Sequence, residues 1–266
     1  MNAKIHRTAI VDDNAIIGDD VVIGEYAVVR GNVRIGNRVE IGSHVLIEAF
    51  AEIGDGTRIF HSSSVGVEPQ DLKYRGEPTK LVLGENNIIR EFASIHRGTV
   101  AGGGATAIGS GNLLMAFVHI AHDCIIGDGN ILANAVNMGG HVTIGNNVIV
   151  GGITAIHQFV HIGDNAMIAA SSYIMQDVLP YALVSGNPAR VSDINRIGLR
   201  RKNIPSKTID AIHKAIVILT RQGLSLQTAI EKIKSKFSLL PEIEKILDFV
   251  ENRSKRGIMR GERVRQ

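Results

Sequence analysis

Six histidines fall in one stretch of the chain: His96, His119, His122, His141, His157 and His161. Several stand 18 residues from a partner that suits them chemically. His122, Gly140 and Gln158 form one such series, Asp123 and His141 a second, and His119 and Asn137 a third. An imidazole that is neutral near pH 7 is the side chain best suited to take a proton from a hydroxyl. A backbone N–H beside it can hold the oxyanion of a tetrahedral intermediate. Acyl transfer from a thioester needs those two groups and no covalent nucleophile, because the thioester is already activated. Gly140 would offer its N–H with no side chain in the substrate's way. Asp123 adds an acid to the cluster, although neighbours on an extended strand, as His122 and Asp123 are, point to opposite faces. His44 and His61 lie away from the cluster and read as surface residues.

A step of 18 has meaning only if the chain coils at that period, and an internal repeat says that it does. From Ile5, every sixth residue is a β-branched aliphatic: Ile5, Val11, Ile17, Ile23, Val29, Ile35 and on to Val65. The period resumes at Leu83, Ile89 and Ile95. It slips once, then runs from Ile108 to Ile174. Four residues after each aliphatic sits a small or branched one, such as Ala9, Ala15, Val21 and Ala27. A six-residue period is neither helical nor simple strand alternation. It fits a short strand and a tight turn, three units closing one triangular coil of 18 residues. Stacked coils bury what a single coil cannot. Glycine often follows the aliphatic (Gly18, Gly24, Gly36), and a turn there would use its backbone freedom. Cys124 occupies the inward corner slot four residues after Ile120, so it reads as core, not as a nucleophile.

Composition agrees. The 266 residues include 29 Gly, 6 Pro, 7 Phe, 4 Tyr and no Trp, so the core is built from aliphatics. One cysteine excludes a disulfide framework and a cysteine-rich metal site. No signal-like or membrane-length apolar run is present, which reads as a cytoplasmic protein. Residues 187–266 carry 18 Lys and Arg against 8 Asp and Glu; residues 1–186 carry 11 against 18. A basic carboxy-terminal region, including Arg253, Lys255, Arg256, Arg260, Arg263 and Arg265, suits an acidic partner. Nucleic acid is the first partner such a tail suggests, but without a nucleic-acid motif and with few aromatic residues for stacking, an acidic protein or a phosphorylated small molecule suits it at least as well.

Two segments interrupt the repeat, at about 67–82 and 100–107. The first, VEPQDLKYRGEPTKLV, is charged; the second, VAGGGATA, is glycine-rich. Insertions in a solenoid often form its binding face. The glycine segment lacks the Lys-Ser/Thr ending and following helix of a phosphate loop. Residues 1–186 are expected to form the coiled domain. After Pro180, YALVSGNPARVSD reads as an irregular exit into a small helical domain over 187–266. There, Ser206 is expected to cap a helix bearing Ile209, Ile212, Ile216 and Leu219. Ser225 caps a second with Leu226, Ile230, Ile233 and Phe237, and Pro241 opens a third with Ile243, Ile246, Leu247 and Val250.

The repeat resembles that of the hexapeptide acyltransferases, which implies a mainly β fold, the left-handed parallel β-helix. The hand comes from the resemblance alone; the usual crossover rule would favour the opposite one. The segments QDLKYRGEPTK (70–80), IHRGTV (95–100), HIAHDC (119–124), GGHVTIG (139–145) and AIHQFVHIG (155–163) are similar to those of the bacterial UDP-N-acetylglucosamine O-acyltransferases. That family performs the first step of lipid A synthesis, and the similarity spans the whole chain. It implies that His122 is the general base for the sugar 3-hydroxyl, with Asp123 beside it, and that Gly140 is the oxyanion donor. It implies that Asp71, Lys73, His96, His119, His141, His157 and Gln158 line the sugar-nucleotide and acyl pocket. Asn195 and Arg201 would reach the nucleotide from a neighbouring subunit, and Ala170, a glycine in some relatives, would gauge acyl length. Ile197 stands where the family often has an acidic residue. The implied donor is a 3-hydroxyacyl chain on acyl carrier protein, an acidic partner, and no cofactor or metal is implied.

Other readings are a 3-amino sugar acceptor, an acetyl coenzyme A donor, a non-catalytic scaffold, or a zinc hydratase on the same fold using His119, His122 and His141. A histidine edge open on a single prism is expected to be closed in a homotrimer.

Overall fold

The structure, a computed structural model, describes residues 2–237 and 240–261. Residues 4–174 form short strands, nearly all of two residues, that pair in parallel with the strand three units further on. Lys4–Ile5 lies beside Val22–Ile23, and His119–Ile120 beside Asn137–Met138. The result is a three-faced β-helix. Its first face begins at Lys4–Ile5, its second at Ile10–Val11 and its third at Ile16–Ile17. The register stays in phase through both interruptions: Ile59 pairs with Ile89, and Ile89 with Leu114. The repeated aliphatics point inward. Ile23, Ile89, Leu114 and Leu132 from the first face and Ile120 and Met138 from the second are fully buried in the core between the faces.

The corners work differently from the sequence expectation. The glycine directly after the aliphatic is not the residue in left-handed conformation. That residue lies three after the aliphatic and is seldom glycine: Asp20 has φ 57°, Tyr26 56° and even Ile153 58°. The glycine is required because the next coil passes so close. A Cβ on Gly18 would lie 2.6 Å from the backbone of Gly36.

Both insertions leave the edge between the second and third faces; the first is shorter than the broken period suggests, and the second is as long as expected but starts three residues earlier. Strands Ser64–Val67 and Lys80–Leu83 leave a loop of 68–79, while Ser94–His96 and Ala105–Ile108 leave one of 97–104. Those strands begin or end inside the interruption because their residues still find ladder partners, as Lys80 does opposite Ala105.

The expected irregular exit is an antiparallel hairpin, Ala182–Gly186 with Ala189–Ile194. Alternating burial of Ala182, Val184, Ala189 and Val191 accounts for it. Among the described residues, four helices follow: α1 (Arg196–Arg201), α2 (Ser206–Arg221), α3 (Leu226–Phe237) and α4 (Pro241–Glu251). The short α1 was not foreseen; the Asn195 side chain caps it by accepting the Gly198 N–H at 3.0 Å. Ser206 is the first residue of α2 and does not cap it. Ser225 does accept the Thr228 N–H, at 3.1 Å, and Pro241 opens α4. The apolar faces of α2 and α4 bury Ile212, Ile216, Leu219, Ile243, Ile246 and Val250. Beyond α4, the buried Asp177 carboxylate receives the Ser254 N–H and hydroxyl, each at 2.6 Å, and ties this segment to the last coil. Arg263 and Arg265 of the basic tail lie outside the described residues. Among the described residues, no helix is long and apolar enough to cross a membrane.

Candidate active site

The edge between the second and third faces carries the histidines. Strands ending at Ile120, Met138 and Ile156 each run into a corner there, so His122, Gly140 and Gln158 stack on successive coils, as the 18-residue step predicts. The His122 ring lies over Gly140: a Cβ on that glycine would be 2.7 Å from the imidazole Cε1. Any side chain at 140 would displace the ring. The Gly140 N–H finds no acceptor among the described residues.

Asp123 stands beside His122 as the resemblance implies, although strand alternation would have turned the two side chains apart. Asp123 is the corner residue, with φ 61°, so strand alternation does not apply to it. Its buried carboxylate Oδ2 lies 2.7 Å from His122 Nδ1 and 3.7 Å from His141 Nε2. With Nδ1–H donated to the carboxylate, His122 keeps Nε2 free as a proton acceptor. The His141 ring meets His122 edge-on at 5.2 Å between centroids and stacks on Phe159 at 4.5 Å.

His119 and His96 sit one and two coils away from the Gly140 corner, their rings edge-to-face at 5.1 Å. His96 Nδ1 bonds the Glu68 carbonyl at 2.6 Å, and His119 Nδ1 bonds Ser94 Oγ at 2.8 Å. Burial holds both imidazoles below the usual histidine range, the first against the pull of the Glu68 carbonyl, so both are neutral near pH 7. His157 Nδ1 reaches the Gln158 carbonyl at 3.1 Å, leaving the Gln158 side chain exposed. Cys124 is fully buried, and desolvation pushes its thiol up to about 12, which removes it as a nucleophile.

The 68–79 loop carries Asp71 and Lys73, joined by an Asx turn of 2.9 Å that leaves the lysine exposed. What fixes the loop is Arg97, a residue the sequence reading passed over although it stands in IHRGTV. It is nearly buried and donates to Tyr74 Oη at 2.8 Å, to the Ala49 and Gly66 carbonyls and to Glu68.

Three expected site residues do not join the histidines within one chain. Asn195 is buried, and its Nδ2 donates to the Asn165 carbonyl at 3.0 Å, beside the edge between the third and first faces. Arg201 is exposed at the end of α1, and Ala170 is exposed at the corner between the first and second faces. Ile197 is exposed in α1. Of the ligands imagined for a zinc site, His119 does not belong with the others. Among the described residues, the group whose donor atoms converge within 4.8 Å is His122, Asp123 and His141.

An imidazole beside an open amide, on the edge of a β-helix of six-residue units, points to the class: a hexapeptide-repeat transferase. The profile of bacterial transferase hexapeptides matches residues 14–49 and 105–140, and that of the second domain of UDP-N-acetylglucosamine O-acyltransferases matches residues 177–259. The acyl-[acyl-carrier-protein]–UDP-N-acetylglucosamine O-acyltransferase of Thermodesulfovibrio yellowstonii is 46% identical over 97% of this chain and 99% of its own. The enzyme of that name from Psychromonas ingrahamii is 53% identical over 81% and 82%. The crystal structure of UDP-N-acetylglucosamine O-acyltransferase from Moraxella catarrhalis superposes with a TM-score of 0.94 at 45% identity, covering 96% of this chain and 99% of that one. The chain belongs to the UDP-N-acetylglucosamine O-acyltransferase family. Its β-helix is accordingly left-handed.

Proposed function

We propose that the chain transfers a 3-hydroxyacyl group from acyl carrier protein to the 3-hydroxyl of UDP-N-acetylglucosamine, the first step of lipid A synthesis. The observation that carries the mechanism is the His122 ring lying over Gly140, with its Nδ1 on Asp123. Nε2 takes the proton of the sugar 3-hydroxyl as the oxygen attacks the thioester carbonyl. The carbonyl oxygen becomes the tetrahedral oxyanion, and the Gly140 N–H receives it. Collapse breaks the carbon–sulfur bond, and the proton on Nε2 leaves with the thiol. Neutral His96 and His119 line the pocket as hydrogen-bonding groups that add no charge beside the base. Lys73 suits a phosphate, as does Arg201.

Asn195 and Arg201 stand beside a different edge from the histidines, which supports a homotrimer in which each prism completes its neighbour's site. Ala170 would then meet the acyl chain from a neighbour and favour a shorter chain than glycine would. A groove of about 600 Å³ lined by His141, Phe159, His161, Ser254, Lys255 and Arg256 joins the histidine edge to the basic segment. Its charge supports an acidic carrier as donor. The cytoplasmic location belongs to this same reading.

The test is acylation of UDP-N-acetylglucosamine by 3-hydroxyacyl carrier proteins of graded length, with acetyl coenzyme A and a 3-amino acceptor alongside. The expected result is transfer from one carrier-bound length range, reduced by about 10²–10⁴ in His122→Ala with the fold intact. Undiminished transfer by His122→Ala, or transfer from acetyl coenzyme A alone, would overturn the reading. Sedimentation tests the trimer, and an active monomer would refute it.

A further inference from the structure

The glycine-rich insertion has no part in the mechanism above, yet it meets the site from below. Thr99 lies in this loop, capping the short 3-10 turn Val100–Gly102. Its backbone N–H donates to Asp123 Oδ1 at 2.7 Å, and its hydroxyl lies 2.7 Å from Asp123 Oδ2. That hydroxyl also accepts the Gly102 N–H, at 3.1 Å. A hydroxyl has one proton to give. With Gly102 on its oxygen, that proton points at the carboxylate. Thr106 completes the surround by accepting the Asp123 N–H at 2.8 Å. The loop's composition follows from this contact: a Cβ on Gly102 would fall 2.0 Å from the Asp123 carboxyl carbon.

We infer that Thr99 is a positioning residue for the base. Its two donors pin both oxygens of the Asp123 carboxylate, which orients Oδ2 toward His122 Nδ1 and so keeps Nε2 facing the substrate. The glycine-rich loop is the hold that places those donors. This inference rests on the proposed roles of His122 and Asp123, and it assigns Thr99 no contact with substrate.

The experiment compares the full-length enzyme with Thr99→Val, Thr99→Ser, Asp123→Ala and the double variant Thr99→Val/Asp123→Ala. Each is checked for its oligomeric state and thermal midpoint. Valine keeps the shape and loses the hydroxyl; serine keeps both donors. The expected result for Thr99→Val is a fall in kcat of about 10- to 100-fold, the worth of one hydrogen bond to a charged group. KM for the nucleotide sugar should stay within about twofold, and Thr99→Ser should return kcat to near wild type. In the Asp123→Ala background, Thr99→Val should have no further effect, because a residue acting only through Asp123 is not additive with it. Undiminished kcat in Thr99→Val, equal loss in valine and serine variants, or full additivity in the double variant would each overturn the inference. The His122→Ala assay stands apart from these, so the mechanism can survive the loss of this inference.

Discussion

At the edge between the third and first faces, the N–H two residues past most of the inward aliphatics is taken by a side chain of the next coil. Asp19 gives its N–H to Asn37, Asn37 to Asp55, Ser110 to Asp128, Asp128 to Asn146 and Asn146 to Asp164, at 2.6–2.9 Å. At the histidine edge the same positions hold His122, Gly140 and Gln158, and the Gly140 N–H has no such partner among the described residues. The backbone turn is shared; the side chain one coil on decides whether its amide is spent on the fold or left open. An Asn or Asp is short enough to reach back to that amide, and Gln158 at this corner does not.

Glycine substitutions break this comparison most sharply. Gly140→Ala should lower kcat by about 10²–10³ with a small change in melting temperature, because the new methyl moves the base and crowds the oxyanion site. Gly127→Ala, at the other edge, should do the reverse. Its Cβ meets the Gly145 carbonyl at 2.8 Å, so stability falls by about 1–3 kcal/mol while kcat per folded molecule is unchanged. Denaturant melts and steady-state kinetics on both variants check the contrast. Next, Gln158→Asn carries the ladder to the histidine edge. Its carboxamide should close on the Gly140 N–H and reduce kcat about tenfold, with no loss of stability. Unchanged kcat would show that this amide takes no part. Asn146→Ala removes a rung from the other edge and should cost about 1 kcal/mol in denaturant unfolding, with kcat intact.

The smallest effect concerns pH. Burial lowers the folded-state affinity of His96 and His119 for protons, so the unfolded chain binds them more readily. Their contribution to stability is therefore complete above the unfolded value of about 6.5 and is lost as pH falls below it. The melting temperature should decline on acidification through that point, and His119→Gln should flatten the decline.

The coil, its core and the His122–Gly140–Gln158 column were legible because a ladder of parallel strands turns an 18-residue step into contact. The His122–Asp123 pair was obscured for a local reason: Asp123 is a left-handed corner residue, and strand alternation does not govern it. Arg97 and Thr99 were hidden by the insertions, since their partners at Tyr74, Gly66 and Asp123 are set by loop paths that no period describes. The hairpin at 182–194 left a readable trace in its alternating apolar residues, with Asn187–Pro188 as the turn.

The left-handed corners bear on how the molecule assembles. An L residue held at positive φ costs on the order of 1–2 kcal/mol, and the cost is greatest for a branched side chain such as that of Ile153. Each coil carries such residues and recovers the deficit only once neighbours lie above and below it. A lone turn is therefore an unstable nucleus, and ordered growth begins only after several turns have stacked. Folding should accordingly lag and then proceed as a single cooperative event, and short stretches cut from the middle of the solenoid should remain unstructured.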